Sequence, residues 1–227
     1  MIFLARHGQA AWGTRDYDRL TETGTRQAQL LGRSFAAQGL APTRLITGGM
    51  RRHEQTAAAL AKEAGWSSEW EADPRFAELD HLDVIHAHRP AYRNDTLMRA
   101  DLARTLRPRS AFWKMFDVAL TRWRSGEHDE DYAQTYAEFV TRIDAALADL
   151  AKSLGRRETA VVVTSAGVMS TVAANVLDRG NAALWSAFFA VTANTGCHLI
   201  EAPTGGLRLV SANVHTHLIP DGLVTVR

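Results

Sequence analysis

The run Ala160-Val161-Val162-Val163-Thr164 constrains the fold of this chain more than any other stretch. It is apolar and β-branched, with no polar residue alternating through its valines. Such a run suits a central strand covered on both faces, as in a parallel sheet flanked by helices. Neighbouring segments alternate in type. Met1-Ile2-Phe3-Leu4-Ala5 is an apolar strand, and Arg44-Leu45-Ile46-Thr47 a short one. Strand-like runs recur at residues 196–200 and 207–210. Between them lie helices. Thr21 is an N-cap with Glu22 in the first turn, Ala28, Leu31 and Phe35 follow at helical spacing, and Gly39 ends the segment. A second helix runs through Gln55 to Leu60, and Tyr136, Phe139, Val140, Ile143, Leu147 and Leu150 form the stripe of a long third. Ser165-Ala166-Gly167 turns into a further helix. Strands alternating with helices predict a three-layer α/β/α sandwich with a mostly parallel central sheet.

The 227 residues suit one large domain. Residues of about 73–125 are less regular, carrying Pro74, Pro90, Pro108 and many arginines. We expect a single domain over 1–227 with a helical and loop insertion there, over the sheet edge. The 26 basic and 25 acidic residues leave a net charge of +1, which argues against nucleic-acid or membrane partners. Cys197 is the single cysteine, so no intrachain disulfide forms and a reducing compartment is expected. The Arg6-His7 pair falls so early that no signal peptide is expected before it. No apolar run approaches bilayer-spanning length. A cytoplasmic location is the resulting expectation.

In open α/β sheets ligands bind beyond the carboxyl ends of strands. Three such ends carry chemistry here: Arg6-His7-Gly8, the stretch from Gly48 to Arg52, and Ser165. An imidazole can attack phosphorus, and a neighbouring guanidinium holds phosphoryl oxygens with paired hydrogen bonds.

These segments together resemble the histidine phosphatase (phosphoglycerate mutase-like) superfamily over nearly the whole chain. Arg6-His7-Gly8 resembles its signature, and Leu20-Thr21-Glu22-Thr23-Gly24 with Gln27-Ala28 resembles its first helix. Met50 to Ala57 resembles its second arginine motif, with Arg52 at the arginine position. Arg75-Phe76-Ala77-Glu78 resembles the segment bearing the general acid. Asn194-Thr195-Gly196 and Asn213 to Leu218 resemble its closing strand and tail. The resemblance implies that His7 becomes phosphohistidine, that Arg6 and Arg52 clamp the phosphoryl group, and that Glu78 protonates the leaving alkoxide and then activates water. It implies a small phosphorylated substrate, and no metal or organic cofactor.

The chain departs from that pattern at one strand end. Ser165 stands where the family carries a second histidine, and it brings a hydroxyl donor without charge. Losing a transition-state donor typically costs about 3 kcal/mol. Ala10 and Gly13 also replace polar residues usual after the first motif. If position 165 faces the phosphate, Ser165→His is expected to raise turnover.

Several assignments stay open. Arg51 competes with Arg52, although Gln55-Thr56-Ala57 favours Arg52 by register. Asp80 and His81 compete with Glu78 as the acid. His215 and His217 would share a face on a strand, but no further ligands converge, and a structural or rim role fits them and the pair His86 and His88. Ser165 lacks the Gly-x-Ser-x-Gly elbow of serine hydrolases. The arginines from Arg89 to Arg109 fit either a basic lid or a solvated helical face. The leading function is a metal-independent phosphatase acting through His7. Its alternatives are a weakened phosphate-binding or interaction module and, ranked below both, a phosphoglycerate mutase.

Overall fold

The computed structural model describes residues 1–11, 16–203 and 206–226. Gly13, singled out above, lies outside the described residues. The elements are β1 (Ile2–Arg6), α1 (Glu22–Ala37), β2 (Arg44–Thr47), α2 (Arg51–Ala64), β3 (Glu71–Ala72), α3 (His81–His88), α4 (Asp95–Ala103), α5 (Pro108–Ser125), α6 (Tyr136–Ser153), β4 (Ala160–Thr164), α7 (Ala166–Asp178), α8 (Ala182–Val191), β5 (Cys197–Glu201) and β6 (Arg208–Val214). They divide into two compact units, Met1–Glu78 with Ile143–Arg227, and Leu79–Arg142.

The first unit is a three-layer α/β/α sandwich. Its sheet has the order β3-β2-β4-β1-β5-β6. The pairs β3–β2, β2–β4 and β4–β1 are parallel, while β5 runs antiparallel to both β1 and β6. The valine run is β4, placed between β2 and β1 and buried throughout. Alternate residues of a strand point to opposite faces. On one face Ala5, Val161 and Val163 pack with Leu31 and Phe35 of α1 and Ala57, Leu60 and Ala61 of α2. On the other, Ile2, Leu4 and Val162 are equally inaccessible. Burying each such side chain contributes roughly 1.5–3 kcal/mol, which is why the run occupies the centre of the sheet.

The register sets up the site. Arg6 pairs with Thr164, and Thr47 with Val163. The His7 N–H donates to Thr164 O at 2.8 Å and the Gly48 N–H to Val163 O at 3.1 Å. His7, Ser165 and Gly48 therefore leave three adjacent strands at one level. Thr21 caps α1 by accepting from the Gly24 N–H at 3.0 Å, and this helix start lies against the β1 end. A Cβ on Gly8 would sit 2.2 Å from Gly24 O, so only glycine lets the two backbones meet.

The second unit holds α3, α4, α5 and the first turns of α6. Its buried residues include Ile85, Phe112, Phe116, Leu120, Trp123 and Phe139. Trp123 meets Phe139 edge-on at 5.3 Å between centroids, and its indole N–H donates to Gln134 O at 2.8 Å. The bounds of about 73–125 expected for the insertion thus shift to Leu79–Arg142. Proline and arginine mark irregular backbone, but a unit's limits follow its packing. Residues 71–76 add β3 and a 3-10 turn to the first unit, and the apolar stripe of α6 begins in the second.

Candidate active site

His7 is buried directly after β1, with 5% of its surface exposed. Its Nδ1–H donates to Gly8 O at 2.7 Å, and among the described residues no hydrogen bond involves Nε2. This contact selects the tautomer, leaving the Nε2 lone pair available. Burial, followed by the charges of Arg52 and Arg6, holds the imidazole well below its ordinary pKa, so it is neutral near pH 7.

The guanidinium of Arg6 is anchored by backbone, with Nη1 donating to Thr192 O and Val226 O at 2.5 Å each. The segment around 223–226 is itself fastened. Gln27 Nε2 donates to Leu223 O, and the Asn194 N–H to Thr225 O, both at 2.8 Å. Asn194 Nδ2 in turn donates to His7 O at 3.1 Å. Thr195 takes φ 56°, unusual for a β-branched residue, and donates its N–H to Arg6 O at 3.1 Å. Strained backbone thus lies directly against the Arg6-His7 pair.

The first turn of α2 decides which arginine is inward. Arg52 is 3% exposed, whereas Arg51 is exposed and paired with Asp16 at 2.9 Å. Arg52 Nη1 donates to Asp18 Oδ1 at 2.6 Å, and its plane lies over the Tyr17 ring at 5.5 Å. Its Nε is buried with no partner among the described residues. Thr56 ties this helix to the strand end. Its hydroxyl accepts from the Gly8 N–H at 3.1 Å and donates to Arg52 O at 2.7 Å. Burial raises the Tyr17 phenol above its ordinary value, against the charge of Arg52.

Glu78 follows a 3-10 turn, Pro74–Phe76, whose last carbonyl accepts from the Thr164 hydroxyl at 2.6 Å. Its Oε2 accepts the Gly167 N–H in the first turn of α7 at 3.1 Å. Asp80 is instead the N-cap of α3, accepting from the Leu82 and Asp83 N–H groups. Ser165 is fully buried, and its Oγ lies 2.7 Å from His53 Nε2.

The structure therefore brings Arg6, His7, Arg52, Glu78 and Ser165 onto elements of one unit. Ala10 is spent on an isolated bridge to Leu20. His215 and His217 do not lie on a strand, since β6 ends at Val214 and a turn over Thr216–Leu218 follows. His217 Nε2 pairs with the Thr195 hydroxyl at 2.9 Å, a structural bond beneath the site. Among the described residues no cluster of three or more His, Cys, Asp or Glu could hold a metal ion. Sequence reasoning missed Tyr17, Asp18 and His53. A signal for His53 existed: it immediately follows Arg52 on the helix that the sequence places at the site.

A mostly parallel sheet thus gathers a neutral histidine after β1 and two arginines, from β1 and from the first turn of α2, in one α/β unit. The sequence profile of the histidine phosphatase superfamily (branch 1) matches residues 2–95 and 104–215, and the chain belongs to that superfamily. No curated protein sequence matches it significantly. Among solved structures it is similar to a phosphoserine phosphatase from Entamoeba histolytica in complex with phosphoserine, at 18% identity and TM-score 0.64 over 96% of this chain and 98% of that one. Phosphoglycerate mutase from Bacillus anthracis gives 17% and 0.66 over 96% and 94%. A mycobacterial glucosyl-3-phosphoglycerate phosphatase gives 19% and 0.60 over 94% and 98%. At these identities the likeness establishes the fold. Among the described residues no helix is long and apolar enough to cross a membrane.

Proposed function

We propose that the protein is a phosphatase that hydrolyses a small phosphomonoester through a phosphohistidine on His7, without a metal. One observation carries this reading. His7 presents an unbonded Nε2 while its Nδ1 is committed to Gly8 O, and the buried Arg52 Nε beside it has a free donor. Buried donors are seldom left orphaned, and a phosphoryl oxygen would satisfy this one. The superfamily and two phosphatases among the similar structures support the same activity.

In the first step His7 Nε2 bonds to phosphorus and the ester P–O bond breaks. The leaving oxygen takes a proton from Glu78. In the second, Glu78 accepts a proton from water as its oxygen attacks phosphorus, the P–N bond breaks, and phosphate departs with His7 neutral again. Arg6 and Arg52 neutralise the equatorial oxygens, and Ser165 donates a hydrogen bond to them. Phosphoryl transfer needs little more from a protein than such positioning and charge. The reaction belongs in a cytoplasmic setting, with no nucleic-acid or membrane partner.

Metal-free hydrolysis of an aryl phosphate tests the reading. His7→Ala is expected to lower kcat at least about a thousandfold, and rapid quench should trap acid-labile phosphate on the wild type alone. Equal rates in the two proteins would sink it. The uncharged Ser165 favours one second reading, a phosphate-binding module, which requires tight phosphate binding without turnover.

A further inference from the structure

His53 has no role in the reaction described above, yet it is fully buried beside it. Its ring centroid lies 5.6 Å from that of His7, and its Nε2 lies 2.7 Å from Ser165 Oγ. The ring fits because residue 48 is glycine, since a Cβ there would stand 2.7 Å from His53 Nδ1. Nδ1 is buried with no partner among the described residues.

The protons can be placed. Burial, with the charge of Arg52, holds His53 well below its ordinary pKa, so the ring carries one proton. On Nδ1 that proton would be a buried, unmet donor. On Nε2 it is donated to Ser165 Oγ, which leaves a lone pair unmet at Nδ1 and makes the serine O–H the donor still to be met. A phosphoryl oxygen bound beside His7 would meet that donor, and buried donors are seldom left orphaned. With Oγ accepting from His53, the serine O–H must be donated elsewhere, and no protein acceptor for it is present among the described residues.

Ser165 is also released from the duty its position suggests. It is the N-cap of α7, where a serine ordinarily accepts a first-turn N–H. Here its side chain makes no such bond, and the Gly167 N–H goes to Glu78 instead. The hydroxyl is thereby committed to His53, with its own O–H unmet among the described residues, at the level where His7 leaves the sheet.

We propose that His53 is a positioning residue that holds the Ser165 hydroxyl as a hydrogen-bond donor to the phosphoryl group. The pair spans α2 and β4 and supplies, as a neutral two-residue relay, a donor that Ser165 alone would not keep oriented. This rests on the proposed phosphatase reading, in which Ser165 touches the phosphoryl oxygens.

The test compares Ser165→Ala, His53→Phe, His53→Gln and the double variant Ser165→Ala/His53→Phe in aryl phosphate hydrolysis, with folding checked by thermal melting. His53→Phe keeps a ring and loses the donor, and kcat is expected to fall about ten- to hundredfold with KM changed far less. His53→Gln places an amide donor near the former Nε2 and should recover most of that loss. The double variant should be no slower than Ser165→Ala, because the two residues act as one. A His53→Phe enzyme as fast as wild type, a Gln variant no better than Phe, or multiplicative losses would each overturn the pairing. Calorimetric binding of inorganic phosphate to the same variants separates this inference from its premise. If the wild type shows no hydrolysis that depends on His7, the phosphatase reading fails. The relay then still stands on equal, non-additive losses of phosphate affinity in Ser165→Ala and His53→Phe. Affinity that both variants leave unchanged, or no binding by the wild type, refutes it.

Discussion

The carboxyl ends of β1 and β4 are neighbours in register, yet they are built differently. At β1 the chemistry lies within one tripeptide. Arg6 is the cation, His7 is the neutral imidazole, and Gly8 supplies both the carbonyl that sets the tautomer and the bare Cα that admits α1. Directly after β4 comes Ser165, whose hydroxyl meets a histidine 112 positions away. One end is charged and local, the other neutral and assembled across the fold. The lesson is that one strand end can be furnished by its own tripeptide while its neighbour depends on a side chain from a helix distant in sequence.

The sharpest challenge to the charged side of this comparison is Arg52 against Arg51. Arg52→Ala removes the buried guanidinium and should lower kcat/KM about a hundred- to thousandfold. Arg51→Ala, on an exposed side chain, should stay within a few fold. Comparable losses in both would show that α2 presents its arginines otherwise.

Ser165→His breaks the neutral side. Sequence alone favours a gain in turnover if position 165 faces the phosphate. The structure reverses that sign, because the Ser165 hydroxyl and the His53 ring are both fully buried and in contact. Overpacking of this kind costs about 1–3 kcal/mol, so the single variant should melt lower and turn over more slowly. Adding His53→Ala makes room, and the double variant should recover both. Faster turnover by the single variant would restore the simpler expectation.

A smaller effect is expected from ending the chain at Gly222. Arg6 then loses the Val226 carbonyl, and Gln27 its partners at Leu223 and Thr225. KM should rise several-fold more than kcat falls, since the binding cation loses a direct partner while the nucleophile is touched through Asn194. Unchanged kinetics would mean that Arg6 is held without Val226.

The mildest effect concerns pH. Burial lowers the pKa of His198 and of His217 to about 4, and those of His7 and His53 are lowered too. The unfolded chain, with ordinary histidines near 6.5, then binds more protons than the folded one as pH falls. Their contribution to stability is complete above about pH 6.5 and is lost as pH drops toward about 4. The urea midpoint should decline over that window, less steeply in His217→Asn. A flat midpoint would place these rings in contact with water, at both strand ends alike.

Much of this protein was determined by sequence alone. The valine run dictated a doubly covered central strand, and Thr21 announced the start of α1, because strand burial and helix capping are both short-range properties. Arg52 over Arg51 was legible from helical register. Tertiary structure alone decided the rest. The limits of the helical unit, Leu79–Arg142, follow packing between residues distant in sequence, beyond the reach of any local pattern. The Asp18 contact to Arg52, the anchoring of Arg6 by the chain's last residues and the pairing of His53 with Ser165 are likewise long-range. A histidine beside an arginine on a helix reads as one more polar residue until the fold buries it, removes its charge and aims its one proton at a serine.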